Sequence, residues 1–222
     1  MTMEKKYRLL ENDTITINGR TLYRIEALRD FADALKGDKG GYVESEDNLS
    51  HVGNCWVSGS AAVYGSAMVC GNAAVYGNAA VCGSAVVCDN AVVCGNAAVY
   101  GNAAVYGNAV VYGNAAVCGN AVVYGNAAVC GNAEVYGKVV VYGNARVCGN
   151  ADYYVGKNIW SSGRYFTYTR SNRMWKVGCF YGTGEELIKK AYQDSEVSGR
   201  EYKRVVEYVE AMYADLEYDK SK

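Results

Sequence analysis

The residues best able to do chemistry lie between 157 and 176. There Lys157, Arg164, Arg170, Arg173 and Lys176 are interleaved with Trp160, Tyr165, Phe166, Tyr168 and Trp175, and no acidic residue occurs between Asp152 and Glu185. If Ser171-Asn172 is a two-residue turn, Arg170 faces Arg173 and Tyr168 faces Trp175 on one side of a hairpin. Like charges set opposite each other repel, and an anion between them relieves the repulsion while aromatic faces accept a base or sugar. Arg164, Arg170, Arg173, Lys176, Tyr168 and Trp175 are therefore the candidate ligand-binding residues, and the ligand they suit is a nucleotide-like anion. The competing reading is a solvated hairpin tip whose arginines splay into water or pair with the acidic C-terminal helix.

Other chemistry is thinly supplied. The one histidine, His51, stands six residues before Val57, a valine-equivalent register that reads as a capping or first-coil residue rather than a general base. Of nine cysteines the seven from Cys70 to Cys148 recur at intervals of six or its multiples, and nine is an odd number without any Cys-x-x-Cys pair, which reads as reduced small apolar residues rather than a disulfide scaffold or a metal site. No Ser/His/Asp set, paired carboxylates or phosphate-cradling glycine motif stands out, so no cofactor or metal is expected.

The element that must position these residues is a repeat. From Val57 to Val147 a valine falls at every sixth position, giving sixteen copies of V-[YC]-G-N-A-[AV] with small variations. Val and the Ala two residues before it share strand parity and point inward, while Gly-Asn accepts the positive φ of a corner. Three units make an 18-residue triangular coil, and stacked coils form three parallel sheets over about five and a third turns, roughly 25 Å long. Proline would remove a ladder donor, and the chain of 222 residues has none where an average composition gives about 11. Charge is partitioned the same way. Residues 48–155 carry only five charges (Asp89, Glu134, Lys138, Arg146, Asp152), and the net charge of −1 averages a near-neutral shaft with two charged ends. That balance excludes a strongly basic binder of duplex nucleic acid.

The stretch VYGNAAVCGSAVVCDNAVVCGNAAVYGNA resembles the hexapeptide-repeat left-handed β-helix family, which implies left-handed coils, frequent trimers and, in its best-known members, acyltransferase activity. The segment GGYVESEDNLSHVGNCWV at 40–57 and the tail W-x-x-G-R-x-F-T-x-T-R-S-N...V-G-C-F-x-G-T-x-E-E-L at 160–187 resemble phage and prophage hexapeptide proteins and the YdcK-like bacterial group. The acyltransferase resemblance implies a histidine base and acyl-CoA between subunits. His51 is the only candidate for that base, and no loop interrupts the units to wall off a substrate. The phage group carries no activity over to this chain; it motivates the leading expectation of a non-enzymatic binding protein that sequesters a nucleotide-like host signal as counter-defence, with a structural role in a virion or its assembly as a further alternative.

Outward positions sort by adding 18. One face carries Met68, Val86, Ala104, Val122 and Val140, with Tyr106, Tyr124 and Tyr142 beside it; a second carries Trp56, Ala74, Val92, Val110, Ala128 and Arg146. Burial of these apolar stripes between copies predicts a homotrimer whose interface includes Trp56, Met68, Val86, Tyr106, Val122, Tyr124, Val140 and Tyr142. The expected organisation is mainly β: an N-terminal cap at 1–47 with a hairpin around Asn18-Gly19 and a short helix at 26–36, the β-helix at 48–155, and a C-terminal hairpin with two helices at 156–222. Capping boxes at Thr183-Gly-Glu-Glu186 and Ser198-Gly-Arg-Glu201 announce the helices. The second helix has a stripe of Tyr202, Val205, Val206, Val209, Met212, Tyr213 and Leu216, expected to pack on the shaft end or between subunits. The charged N-terminus and the absence of an 18-residue apolar run predict a protein that stays in the cytoplasm of a bacterial host cell, with no membrane partner.

Overall fold

A computed structural model describes residues 4–220, with side chains described up to Leu216. Sixteen two-residue strands recur every six residues from β4 (Trp56–Val57) to β19 (Arg146–Val147), preceded by β1 (Tyr7–Ile17), β2 (Arg20–Ala27) and β3 (Lys39–Val43). They form a parallel β-solenoid of about six turns, with one face of six strands, one of five and a third that continues through β3 into the N-terminal hairpin. Each strand pairs with the one 18 residues on, as in Val92 with Val110 and Ala98 with Ala116. The inward Ala and Val of every unit are fully buried, so the core is a column of small side chains without a cavity-forming large residue.

Corner geometry follows from the Gly-Asn pair. Gly101 sits at φ +74, and a Cβ there would lie 3.0 Å from the Gly119 nitrogen one coil on. The one unit without its glycine places Asp89 at φ +59, where the side chain compensates by accepting a hydrogen bond from the Gly107 N–H at 3.0 Å. Asparagines stack in register along the edges, Asn72 donating to Asn90 and Asn90 to Asn108 at 3.0 and 3.1 Å.

The solenoid is chemically polar along its length. Each strand N–H donates forward to a carbonyl 17 residues later, as from Ala74 to Ala91. The first coil is therefore left with bare carbonyls and the last with bare N–H groups, and the two caps supply the opposite partners. At the N-terminal end Tyr7 donates its hydroxyl to the Leu49 carbonyl at 2.7 Å, and Lys6 Nζ donates to the Cys55 carbonyl at 2.7 Å. Lys6 is fully buried, and that burial lowers its pKa. At the other end the Glu134, Val140 and Arg146 N–H groups donate to Asn150 Oδ1, Thr167 Oγ1 and Ser171 Oγ at 2.7, 3.1 and 2.7 Å.

The oxygens of that second cap come from the turn at 150–152 and a four-stranded antiparallel sheet, β20 (Tyr153–Lys157), β21 (Tyr165–Thr169), β22 (Met174–Val177) and β23 (Phe180–Gly182). One face meets the shaft; the other, with Phe166, Tyr168, Trp175 and Val177, forms a core with α1 (Gly184–Asp194) and α2 (Glu196–Lys220). The α2 stripe thus packs on this chain's own C-terminal sheet, because that sheet's apolar face is the nearest uncovered surface.

Of three local expectations, two are corrected and one holds. Residues 26–36 form no helix: Asp30 and Asp38 carboxylates accept from the Lys36 and Leu35 N–H groups, and Phe31 and Ala34 pair across a tight turn that returns the chain to β3. The Thr183 box holds, with Glu186 N–H donating to Thr183 Oγ1 at 3.3 Å and Thr183 N–H to Glu186 Oε2 at 2.8 Å. The Ser198 box does not. α2 begins two residues before Ser198, which donates its N–H to Ser195 Oγ at 3.1 Å, so Ser195 both ends α1 and caps α2.

Candidate functional site

The hairpin tip is fixed against the last coil by the Arg146 N–H to Ser171 Oγ bond and by Arg170 donating its N–H to the Asp152 carbonyl at 2.9 Å. Strand pairing of Tyr168 with Trp175 and Thr169 with Met174 leaves Ser171-Asn172 at the turn, as the spacing predicts. Docking the tip this way brings Arg170 and Arg173 beside Arg146, the outward residue of the final unit. Together with Cys148, Asp152 and Ser171 these three arginines line an open cleft of about 420 Å³. Among the described residues Asp152 is the one acid in that wall, and its Oδ2 already accepts from the Cys148 and Gly149 N–H groups at 2.8 and 2.9 Å. Arg146 directs its Nε to Cys148 Sγ at 3.2 Å.

Arg170 and Arg173 also border a second cavity of about 360 Å³ on the helix side, where Glu185 and Glu210 stand opposite them. The Arg170 guanidinium lies 5.9 Å from the centre of the Tyr213 ring. The tip therefore divides a basic cleft on the shaft side from a mixed one on the helix side.

The other predicted ligand residues are placed elsewhere. Tyr168 and Trp175 do face each other, ring centres 5.0 Å apart, but they are 3% and 0% exposed beneath α2, and Trp175 Nε1 donates to Glu210 Oε1 at 3.1 Å. Neither ring is a platform for a base, because the α2 stripe covers that face of the sheet. Lys176 points to the shaft, its Nζ 5.3 Å from the Tyr142 ring centre, and Arg164 lines a separate cavity at the α1–α2 junction. Arg146 is the contributor that sequence reasoning missed. Its signal was available, since it is the only charge in a column otherwise filled by Trp56, alanines and valines.

His51 is not at a valine-equivalent place. Leu49 bridges to Val69 in the inward register, so two extra residues separate it from Val57 and put His51 in the resulting bulge. There its Nδ1 accepts the Lys6 N–H at 3.2 Å, its ring stacks on Tyr7 at 4.3 Å, and Nε2 lies 3.6 Å from Glu46 Oε2. It is a capping residue held on three sides.

Of the residues assigned to an interface, Trp56 is covered by this chain's own cap, edge-on to Phe31 at 5.1 Å. Met68 is 45% exposed, and Val86, Val122 and Val140 are half-buried along the same stripe. Tyr106, Tyr124 and Tyr142 stack at 4.9 and 4.2 Å, and Tyr181 closes the column edge-on. Cys130 and Cys148, equivalent positions on adjacent coils, are joined as a disulfide, whereas reduced thiols were expected throughout; the 18-residue register sets their Cα atoms 4.4 Å apart. Among the described residues no group of three or more His, Cys, Asp or Glu is placed to hold a metal, and no helix is long and apolar enough to cross a membrane. Comparison with known protein families and with curated protein sequences gives no match for this chain.

Proposed function

We propose that this protein is a non-catalytic binding protein that captures a nucleotide-like anion in the cleft between the last solenoid coil and the C-terminal hairpin. The observation that carries the reading is the convergence of Arg146, Arg170 and Arg173 on one cleft in which Asp152, the one carboxylate among the described lining residues, is engaged by backbone N–H groups. Guanidinium groups bind phosphate oxygens through paired, charge-assisted hydrogen bonds, and a cleft with a net positive wall favours a polyanion. His51 is occupied as a cap, which removes the support an acyltransferase reading would need. The resemblance to phage hexapeptide-repeat proteins adds the biological context: the captured anion is a host signal nucleotide, and the protein acts in counter-defence. Copies associate as a trimer through the Met68, Val86, Val122 and Val140 stripe.

Isothermal titration against a panel of linear and cyclic nucleotides at low salt tests this. The wild type binds at least one; Arg170→Glu and Arg146→Ala each weaken binding by about tenfold or more, the scale of losing a charge-assisted hydrogen bond. Absence of binding by the wild type across the panel defeats the reading. Light scattering tests the association separately, with three times the 23.9 kDa chain mass expected and a single chain mass contradicting it.

A further inference from the structure

Seven cysteines follow the inward valine of a repeat unit, and the 18-residue register sorts them. Cys82, Cys94 and Cys118 each have a tyrosine 18 residues before and another 18 after, whereas Cys70 and Cys88 stand 18 apart, as Cys130 and Cys148 do. We propose that Cys70 and Cys88 are a redox-active dithiol that a small-molecule disulfide oxidises to a second cross-coil disulfide. Strands β6 (Met68–Val69) and β9 (Val86–Val87) pair in register, and the Cys70 N–H donates to the Val87 carbonyl at 3.0 Å. Neighbouring strands lie about 4.8 Å apart, within the roughly 4.4–6.8 Å between Cα atoms that a disulfide spans. The two thiols share a hydrogen bond, and both are half-buried, so a small oxidant reaches them.

The step is thiol–disulfide exchange. With oxidised glutathione, the Cys70 thiol gives up its proton and attacks one sulfur, releasing a glutathione thiolate that takes up a proton. Cys88 then gives up its proton and attacks the Cys70 sulfur of the mixed disulfide, which releases the second glutathione thiol. Two protein thiols become one disulfide, one oxidised glutathione becomes two thiols, and two electrons pass to glutathione. Burial raises both cysteine thiols. The hydrogen bond between them opposes this at Cys70 and adds to it at Cys88, where burial and the Asp89 carboxylate push the thiol up to about 11, so Cys70 attacks first. A small thiolate fraction makes the bond slow to form, and a leaving group of that basicity makes it slow to reopen.

The pair is placed where a staple matters. β6 is the terminal strand of the five-stranded face, continued by the isolated bridge of Leu49 to Val69 rather than by a full strand. Cys130–Cys148 likewise joins β16 (Ala128–Val129) to β19, the terminal strand of the six-stranded face at the other end of the shaft. Terminal strands open most readily, so the two cysteine pairs tie down opposite ends of the solenoid. This chemistry needs neither the arginine cleft nor the association of copies.

The native full-length protein is incubated with excess oxidised glutathione, then denatured, alkylated and cut with chymotrypsin, whose site after Tyr76 separates the two cysteines. Mass spectrometry finds Cys70 linked to Cys88, lighter by two hydrogens than the two reduced peptides together, and dithiothreitol removes the link. Cys70→Ser and Cys88→Ser each abolish it, whereas Cys82→Ser keeps it. Hydrogen exchange at the Met68 and Cys70 amides, which donate to the Ala85 and Val87 carbonyls, slows about tenfold or more on oxidation of the wild type and is unchanged on oxidation of Cys70→Ser. Cys88→Ser serves as the same control should Cys70→Ser fail to fold. No Cys70–Cys88 link after oxidation, pairing of either cysteine with a different one, or unchanged exchange in the linked protein overturns the proposal.

Discussion

Thr167→Val isolates the closing of the solenoid's C-terminal end. Thr167 is 2% exposed, and its Oγ1 accepts the Val140 N–H at 3.1 Å, a ladder donor that has no next coil to bind. Valine keeps the shape and the β-branching while removing the acceptor. A buried N–H left without a partner costs about 1–3 kcal/mol, offset by roughly 0.8 kcal/mol for the added buried methyl, so a net loss of up to about 2 kcal/mol is expected. For a chain of this length that corresponds to a fall in Tm of up to about 8 °C. Hydrogen exchange gives the local readout, because opening a ladder end by ~1.4 kcal/mol speeds exchange of the Val140 amide about tenfold. Thr169→Val is the internal control: its hydroxyl bonds the Asn172 side chain, so no backbone donor is orphaned and the effect is smaller. Unchanged exchange at Val140 together with a Tm within about 1 °C of wild type would refute the idea that side-chain oxygens cap the ladder.

Three shorter tests bear on the same architecture. Gly101→Ala should destabilise more than Gly137→Ala in urea titration: both glycines have φ near +74, but a Cβ at 101 meets the next coil at 3.0 Å whereas one at 137 meets nothing within 4 Å, so the difference of about 1–3 kcal/mol reads the coil stacking alone. Burial holds Tyr153 and Tyr213 protonated up to about 12. Above about pH 10 the unfolded chain therefore binds fewer protons than the folded one, stability falls as pH rises, and Tyr213→Phe flattens that decline in pH-dependent denaturation. Thiol titration of the denatured, unreduced protein should find seven reactive cysteines, and nine after reduction; nine before reduction would contradict the Cys130–Cys148 link.

The solenoid was legible because one short-range rule, inward Ala and Val with a corner glycine, repeats sixteen times and leaves no competing register. Asn18-Gly19 was legible for the same local reason, and the hairpin around it forms with φ of +52 and +76. Misreadings arose where local pattern met tertiary competition. The Ser198 box lost to Ser195, whose hydroxyl reaches the same N–H and lets α2 begin earlier. A one-unit count back from Val57 placed His51 wrongly because a two-residue bulge is invisible to a period. Tyr168 and Trp175 were paired correctly, yet alternation within a hairpin does not say which face a later helix will cover. The basic cleft was half legible: Arg170 and Arg173 follow from the turn, but Arg146 joins them only through a bond between the hairpin tip and the last coil.

The opposite chemical character of the two coil ends carries a consequence for how such a chain changes over generations. Each cap reads only the terminal coil, so the middle can gain or lose sequence without either cap noticing, provided the change comes in steps of eighteen residues. A step of six would turn one cap by a third of a revolution against the other, carrying the arginine cleft to a different side. The shaft is in effect a ruler with coarse graduations, on which distance between the ends drifts freely while their angular relation is locked.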